Sequence, residues 1–181
     1  MITTERLILR PWKDEDLLPF AEMNADPRVR EFFRSVLTSE QSDAEAMHIH
    51  AAYVRDGFSM FAAQLAATGE FVGFIGLVTM TFPIPSVAQP AVEIGWRLAR
   101  KHWGKGLATE GARATLRYAF ETLKLPEIVA ITVPANLRSR HVMDKIGMKH
   151  HPELDFDHPR IPEGHPMRAH VLYTIRNSKI S

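Results

Sequence analysis

Apolar and polar residues alternate over 6–10 as RLILR, which predicts a short strand stopped by Pro11. Leu17, Leu18, Phe20 and Ala21 recur at helical spacing within 14–24, and a turn or short helix from Asp26-Pro27 carries Val29, Phe32 and Phe33. A longer helix is predicted over 39–56. Thr38 and Gln41 stand at capping-box separation, Ala44, Met47, Ala51 and Val54 step by three and four, and Gly57 sits where a C-terminal stop belongs. Glu40, Asp43, Glu45 and Arg55 on that helix read as a solvated face.

Two apolar runs, 58–66 and 71–80, flank Ala67-Thr68-Gly69-Glu70, a connector suited to a hairpin. Residues 82–90 contain Pro83, Pro85 and Pro90 and read as a loop. Alternation resumes over 91–99: Val92, Ile94, Trp96 and Leu98 face one way, and Glu93, Gly95, Arg97 and Ala99 the other. After a glycine-containing loop over 100–106, the strongest helical pattern runs over 107–124. Leu116, Ala119, Phe120 and Leu123 form its apolar stripe opposite Glu110, Arg113, Arg117, Glu121 and Lys124, and Pro126 ends it. A β-branched strand over 128–133, a helix over 136–146 closed by Gly147, and a last strand within 166–176 complete the pattern. No repeat or boundary interrupts this order, which predicts one domain over 1–181 of α/β (α+β) class.

Composition narrows the picture. The hydrophobic share of 45% and charged share of 24% are those of a globular chain. With 22 Lys+Arg against 21 Asp+Glu, the formal charge of +1 gives no reason to expect nucleic acid or an anionic membrane as partner. No window approaches 18 apolar residues and the N-terminus lacks an apolar run before its charges, so neither a membrane span nor a signal peptide is expected. The absence of cysteine excludes a thiol nucleophile, a Cys-based zinc site and disulfides, and fits a cytoplasmic location. His150, His151, His158 and His165 cluster near Glu153, Asp155 and Asp157, but without helical His-x-x-x-His spacing and among Pro152, Pro159, Pro162 and Pro166. No metal site is expected there. Residues 156–160 read either as a loop shaping the substrate side or as a plain connector.

The chemistry concentrates in 93–147. Gly104 and Gly106 directly precede the longest helical pattern, where backbone N–H groups can approach an anion and the helix end favours negative charge. Lys101 and Lys105 add positive charge. This is either a small pyrophosphate cradle or a glycine-rich turn with solvated lysines. The spacing matches neither a Walker A loop nor the three-glycine dinucleotide fingerprint, so ATP and NAD are not expected.

Lys101-His102-Trp103-Gly104-Lys105-Gly106 resembles the coenzyme A pyrophosphate loop of the GNAT N-acetyltransferase superfamily, Gln/Arg-x-x-Gly-x-Gly/Ala. Asn136-Leu137-Arg138-Ser139 resembles that family's Asn-x-x-Ser at a helix start, and Asp144-Lys145-Ile146-Gly147-Met148 its closing run. The opening Thr4-Glu5-Arg6-Leu7-Ile8-Leu9-Arg10-Pro11-Trp12 resembles the RimJ/RimL-type branch. Two positions depart from the pattern: Lys101 replaces Gln/Arg, and Met143 stands where many relatives carry a proton-donating tyrosine.

The resemblance implies a mixed, mostly antiparallel sheet flanked by helices, with the fourth and fifth strands splayed. Acetyl-CoA would be the co-substrate, without a metal. Leu98, Ala99 and Arg100 would offer main-chain edges to the pantetheine arm. The N–H groups of Lys101, Trp103, Gly104, Lys105, Gly106, Leu107 and Ala108 would lie along the pyrophosphate, and Asn136 would bind from the end of the fifth strand. An amine entering from the opposite side would attack the thioester directly. Glu93 is the candidate base, or else an ordinary strand glutamate. Ser139 is the candidate donor to the leaving thiolate, or else a helix N-terminal serine satisfying a backbone N–H. The acceptor is a protein or peptide N-terminal α-amine, or a small amine such as an amino acid, polyamine or antibiotic. A non-catalytic acyl-CoA-binding module is the reading from another class, and a homodimer stays open.

Overall fold

The computed structural model describes residues 1–84 and 87–177. The loop expected over 82–90 therefore lies partly outside the described residues, Pro85 included. The elements are β1 (Ile2–Thr3), β2 (Leu7–Arg10), α1 (Leu17–Ala25), α2 (Ser39–Asp56), β3 (Met60–Leu65), β4 (Phe71–Thr79), β5 (Val92–Leu98), α3 (Leu107–Arg117), β6 (Glu127–Thr132), α4 (Leu137–Lys145), β7 (Lys149–His150), β8 (Phe156–Asp157) and β9 (Ala169–Arg176). They build a mixed α/β fold around a sheet ordered β1-β2-β3-β4-β5-β6-β9-β7, with β8 on β9. Among the described residues every pairing is antiparallel except β5 with β6. That parallel contact is confined to one residue pair, Glu93 opposite Val129. Beyond it the two strands, the expected fourth and fifth, part.

Both faces of the sheet are covered. Ile94 and Leu77 pack with Ala112 and Leu116 of α3 and with Met143 of α4. On the other face Phe74 packs with Phe20 and Met23 of α1 and Ala46 of α2. Gly111 lets α3 sit close, since a Cβ there would lie 2.3 Å from Ile75 Cδ1.

The ends of α2 follow the expected chemistry. The Gln41 N–H donates to Thr38 Oγ1 (3.3 Å), the Thr38 N–H to Gln41 Oε1 (3.0 Å), and Gly57 closes the helix at φ 75°. The stripe expected to be buried faces solvent, while Glu40, Asp43 and Arg55 of the expected solvated face are exposed as read. Met47 and Val54 are 71% and 72% exposed, whereas Ser42, Ala46 and Ala52 are buried. Small residues admit close approach to α1, where Asn24 Nδ2 donates to Ser42 Oγ (2.9 Å), and this turns Glu45 inward. Leu18 is likewise exposed, and Phe20 and Met23 carry the buried face of α1. The helix expected over 107–124 ends as α-helix at Arg117 and continues as one π turn over Tyr118–Thr122, before Lys124 at φ 55°. Among the described residues, no helix is long and apolar enough to cross a membrane.

Candidate active site

The parting of β5 from β6 exposes main chain in the middle of the sheet. The Ala99 N–H donates to Val72 O on the β4 side (2.9 Å), and the Ala91 carbonyl accepts from Met80 N–H (2.9 Å). The Ile94 N–H closes the one parallel pair with Val129, and beyond it strand alternation turns the C=O of Ile94, both groups of Trp96 and the N–H of Leu98 toward the gap. The free edge thus lies upstream of the expected 98–100. The Leu98 carbonyl accepts from Trp103 Nε1 (2.7 Å), that of Ala99 from His102 N–H (2.9 Å) and that of Arg100 from Trp103 N–H (3.1 Å). Ala99 and Arg100 are consumed by the turn that follows the strand.

That turn delivers the start of α3 to the gap. Gly106, at φ 78°, is its N-cap and contributes no side-chain acceptor. The first bond from its opening turn runs from Glu110 N–H to Gly106 O (3.0 Å), so the N–H groups of Leu107, Ala108 and Thr109 have no partner within the helix. All three residues line a cavity of about 690 Å³, as do Gly104 and Gly106. This is the geometry that receives a diphosphate. Two side chains differ from expectation. Lys101 Nζ pairs with Glu70 Oε1 at 2.6 Å instead of standing free, whereas Arg100 and Lys105 of the same loop are in no ion pair among the described residues. Arg6 was not anticipated: its Nη1 donates to Lys105 O (2.8 Å) and its Nε to Glu110 Oε2 (2.6 Å), while Thr4 Oγ1 and the Arg6 N–H donate to Glu110 Oε1. Burial pushes the Glu110 carboxyl up, but these bonds outweigh it and hold the group below its ordinary range. The N-terminal segment is thereby tied to the cradle.

At the vertex of the gap stands Glu93. It is half-buried on the cavity wall, and burial pushes its carboxyl up to about 7, opposed by a hydrogen bond from the Ile131 backbone. Across the gap, Asn136 caps α4: its Oδ1 accepts from Ser139 N–H (3.2 Å), and its Nδ2 donates to Ser139 Oγ (3.1 Å) and Thr132 Oγ1 (3.0 Å). The capping role weighed for Ser139 therefore belongs to Asn136. The Ser139 hydroxyl accepts one bond and keeps its hydrogen for another partner. Met143 is 2% exposed and also lines the cavity.

The opposite wall is built from long-range contacts. Arg97 extends from β5 on the Glu93 face, and its Nη1 donates to Asn24 Oδ1 (2.8 Å) and Glu45 Oε1 (3.1 Å). Its Cζ lies 4.3 Å from the Phe33 ring centroid. Arg138 pairs with Glu31 (2.7 Å) and sits over the Trp103 ring (4.6 Å), joining the turn after α1 to the loop before α3. Of the expected 156–160 loop, His158 reaches the cavity, beside Phe82 and His170 (ring centroids 4.6 and 4.9 Å). Burial lowers both imidazoles below their ordinary value, which favours their neutral forms. His150 and His151 instead pair with Asp155 and Glu153, away from it.

The model of the acetyltransferase (GNAT) domain matches residues 6–149. The Bacillus subtilis protein YkkB is 33% identical over 148 residues, covering 81% of this chain and 84% of its own. An FsC-acetyl coenzyme A-N(2)-transacetylase of Aspergillus fumigatus is 34% identical over 156 residues, covering 81% of this chain and 64% of that protein. The crystal structure of an acetyltransferase from Agrobacterium tumefaciens superposes with a TM-score of 0.77 at 30% identity, covering 97% of this chain and 93% of that one.

Proposed function

The chain belongs to the GNAT acetyltransferase family and is an acetyl-CoA-dependent N-acyltransferase, and from that premise we propose that its acceptor is an α-amine, foremost a peptide or protein N-terminus. The observation that carries this reading is Glu93, held near pKa 7 where the strands part. Moving a proton from an α-amine near pKa 8 to such a carboxylate costs about 1.4 kcal/mol, against about 4.6 kcal/mol from a lysine-like amine at about 10.4. The site suits the first and poorly serves the second.

Acetyl-CoA supplies an activated acyl thioester. The uncapped N–H groups of Leu107 and Ala108, with Gly104, Lys105 and Gly106, would hold its diphosphate, and the free edge at Ile94, Trp96 and Leu98 its pantetheine amides. Lys101 and Trp103 support the loop through Glu70 and Leu98 O. Glu93 takes the ammonium proton, directly or through water. Ser139, oriented by Asn136, donates toward the leaving sulfur. Positioning the two reactants supplies the remainder of the rate.

A second reading, a small-molecule amine, draws support from the Aspergillus relative, which is named for N(2)-transacetylation from acetyl coenzyme A. Release of free thiol from acetyl-CoA tests both. N-terminal peptides should react near neutral pH and their Nα-blocked, lysine-containing counterparts should not. Equal reaction of the blocked peptides would sink the α-amine reading.

A further inference from the structure

We infer that the acceptor carries a carboxylate, which Arg97 receives on the wall of the cavity beside Glu45. The inference rests on the acetyl-transfer reading above and narrows its substrate class.

Arg97 stands four residues beyond Glu93 on the same face of β5, about 13 Å along the strand at ~3.3 Å per residue. It lines the cavity, yet its side chain is only 10% exposed. Phe33 and Phe74 flank its guanidinium, with centroids 4.3 and 5.0 Å from Cζ. Nη1 makes all the bonds to Asn24 and Glu45, whereas Nε is buried with no hydrogen-bond partner. Glu45 is shared with a second guanidinium, Arg30, whose Nη1 lies 3.8 Å away and whose side chain is also 10% exposed. Two buried guanidinium groups thus face one carboxylate, and one positive charge is left without a counter-ion. A charge in that position is costly unless something pairs with it. Desolvation lowers both arginines, Arg30 to about 10, the direction expected of cations short of anions.

The guanidinium fork matches a carboxylate in shape as well as charge. The remaining wall is mostly apolar: Phe32, Phe33, Ile49, Met60, Phe74 and Phe82. Among the described lining residues the only acids are Glu45, already paired, and Glu93, so no acidic series exists to hold a polycation. The distance between Glu93 and Arg97 separates the reacting amine from the carboxylate by more than one carbon. A second residue of a peptide, bearing an acidic side chain or a free C-terminus, carries the carboxylate about 6–9 Å from the amine, toward that spacing. A free α-amino acid, with amine and carboxylate on one carbon, does not.

The test uses the whole protein with acetyl-CoA and matched probes: Ala-Glu-amide, Ala-Gln-amide, Ala-Lys-amide, Ala-Gln with a free C-terminus, and spermidine. A carboxylate-bearing probe should exceed Ala-Gln-amide about tenfold or more in kcat/KM, mainly through KM. Ala-Glu-amide distinguishes a side-chain carboxylate from the terminal one of free Ala-Gln. Arg97→Lys should cut that preference to about threefold or less, because it keeps the charge and loses the fork. Glu45→Gln should enlarge it, and serves if the Arg97 variant does not fold. Binding of the products, acetyl-Ala-Glu-amide against acetyl-Ala-Gln-amide with CoA present, gives a readout that needs no turnover. No thiol release from any probe, with acetyl-Ala-Glu-amide still bound preferentially, overturns the α-amine reading alone. Equal turnover of Ala-Gln-amide, Ala-Glu-amide and free Ala-Gln, or better turnover of spermidine, overturns the carboxylate.

Discussion

Glu93 has two properties that a pH titration separates. Its folded value near 7 lies above the ordinary 4.5, so the carboxylate that can accept a proton forms only as pH rises through about 7. Solution supplies the neutral amine as pH approaches the acceptor's own pKa. The ratio of wild type to Glu93→Gln in kcat/KM should therefore peak between about pH 7 and 8, at about a hundredfold or more, and shrink toward unity by about pH 9 for an α-amine. A ratio constant with pH would leave Glu93 as a positioning group. The same displacement makes the folded chain hold this proton more tightly than the unfolded one. Stability should fall as pH rises from about 4.5 through 7, and Glu93→Gln should flatten that fall in denaturant midpoints. Arg6 acts on the coenzyme side. Arg6→Ala frees Lys105 O and leaves Glu110 unneutralised at the helix end, which should weaken acetyl-CoA about tenfold by calorimetry with little change in KM for the acceptor. Glu93 was legible because strand alternation fixes its phase. Arg6, Glu45 and Arg97 were not, because their partners lie 104 and 52 residues away.

Helix α2 shows what periodicity leaves open. Its ends are local chemistry and could be read to the residue, from the Thr38 cap to the Gly57 stop. Its orientation is a tertiary matter. Ala44, Met47, Ala51 and Val54 make an apolar ridge as regular as any buried one, yet close packing on α1 and the pairing of Glu45 with Arg97 select the face with Ser42, Ala46 and Ala52. Val54→Lys should stay within about 0.5 kcal/mol of wild type. Ala46→Leu, one turn from Ser42 on the packed face, should cost about 1–3 kcal/mol through overpacking. Chemical denaturation of the two variants checks the assignment, and the reverse ranking would refute it. In α3 the expected stripe of Leu116, Ala119, Phe120 and Leu123 does pack on the core, and what was not legible is the single π turn over Tyr118–Thr122 that replaces its last α-helical turn.

At the scale of the whole molecule, the sheet is two half-sheets, β1 to β5 and β6 with β9 and β7, meeting at one residue pair. The long strands on either side were legible from alternation and β-branching, and the motif order carried the expectation that two of them part. The two-residue strands β1, β7 and β8 are too short to leave any period and owe their existence to neighbours already in place. The cavity between the halves has Met143 in its wall, 2% exposed, whereas Met47 faces outward from α2. This has a bearing on oxidative damage. With no cysteine among its residues, the protein meets peroxide through its methionines. Met47 and the terminal Met1 should become sulfoxides first, with activity intact. Inactivation should follow the slower conversion of the cavity methionines, half-buried Met60 and then Met143, which would set polar, bulkier sulfoxides into the reaction cavity. Peptide mass spectrometry along the inactivation course would show this order, and loss of activity in step with Met47 would contradict it. The outward thioether would then act as a sacrificial shield, and methionine sulfoxide reductase could regenerate it while the enzyme kept turning over.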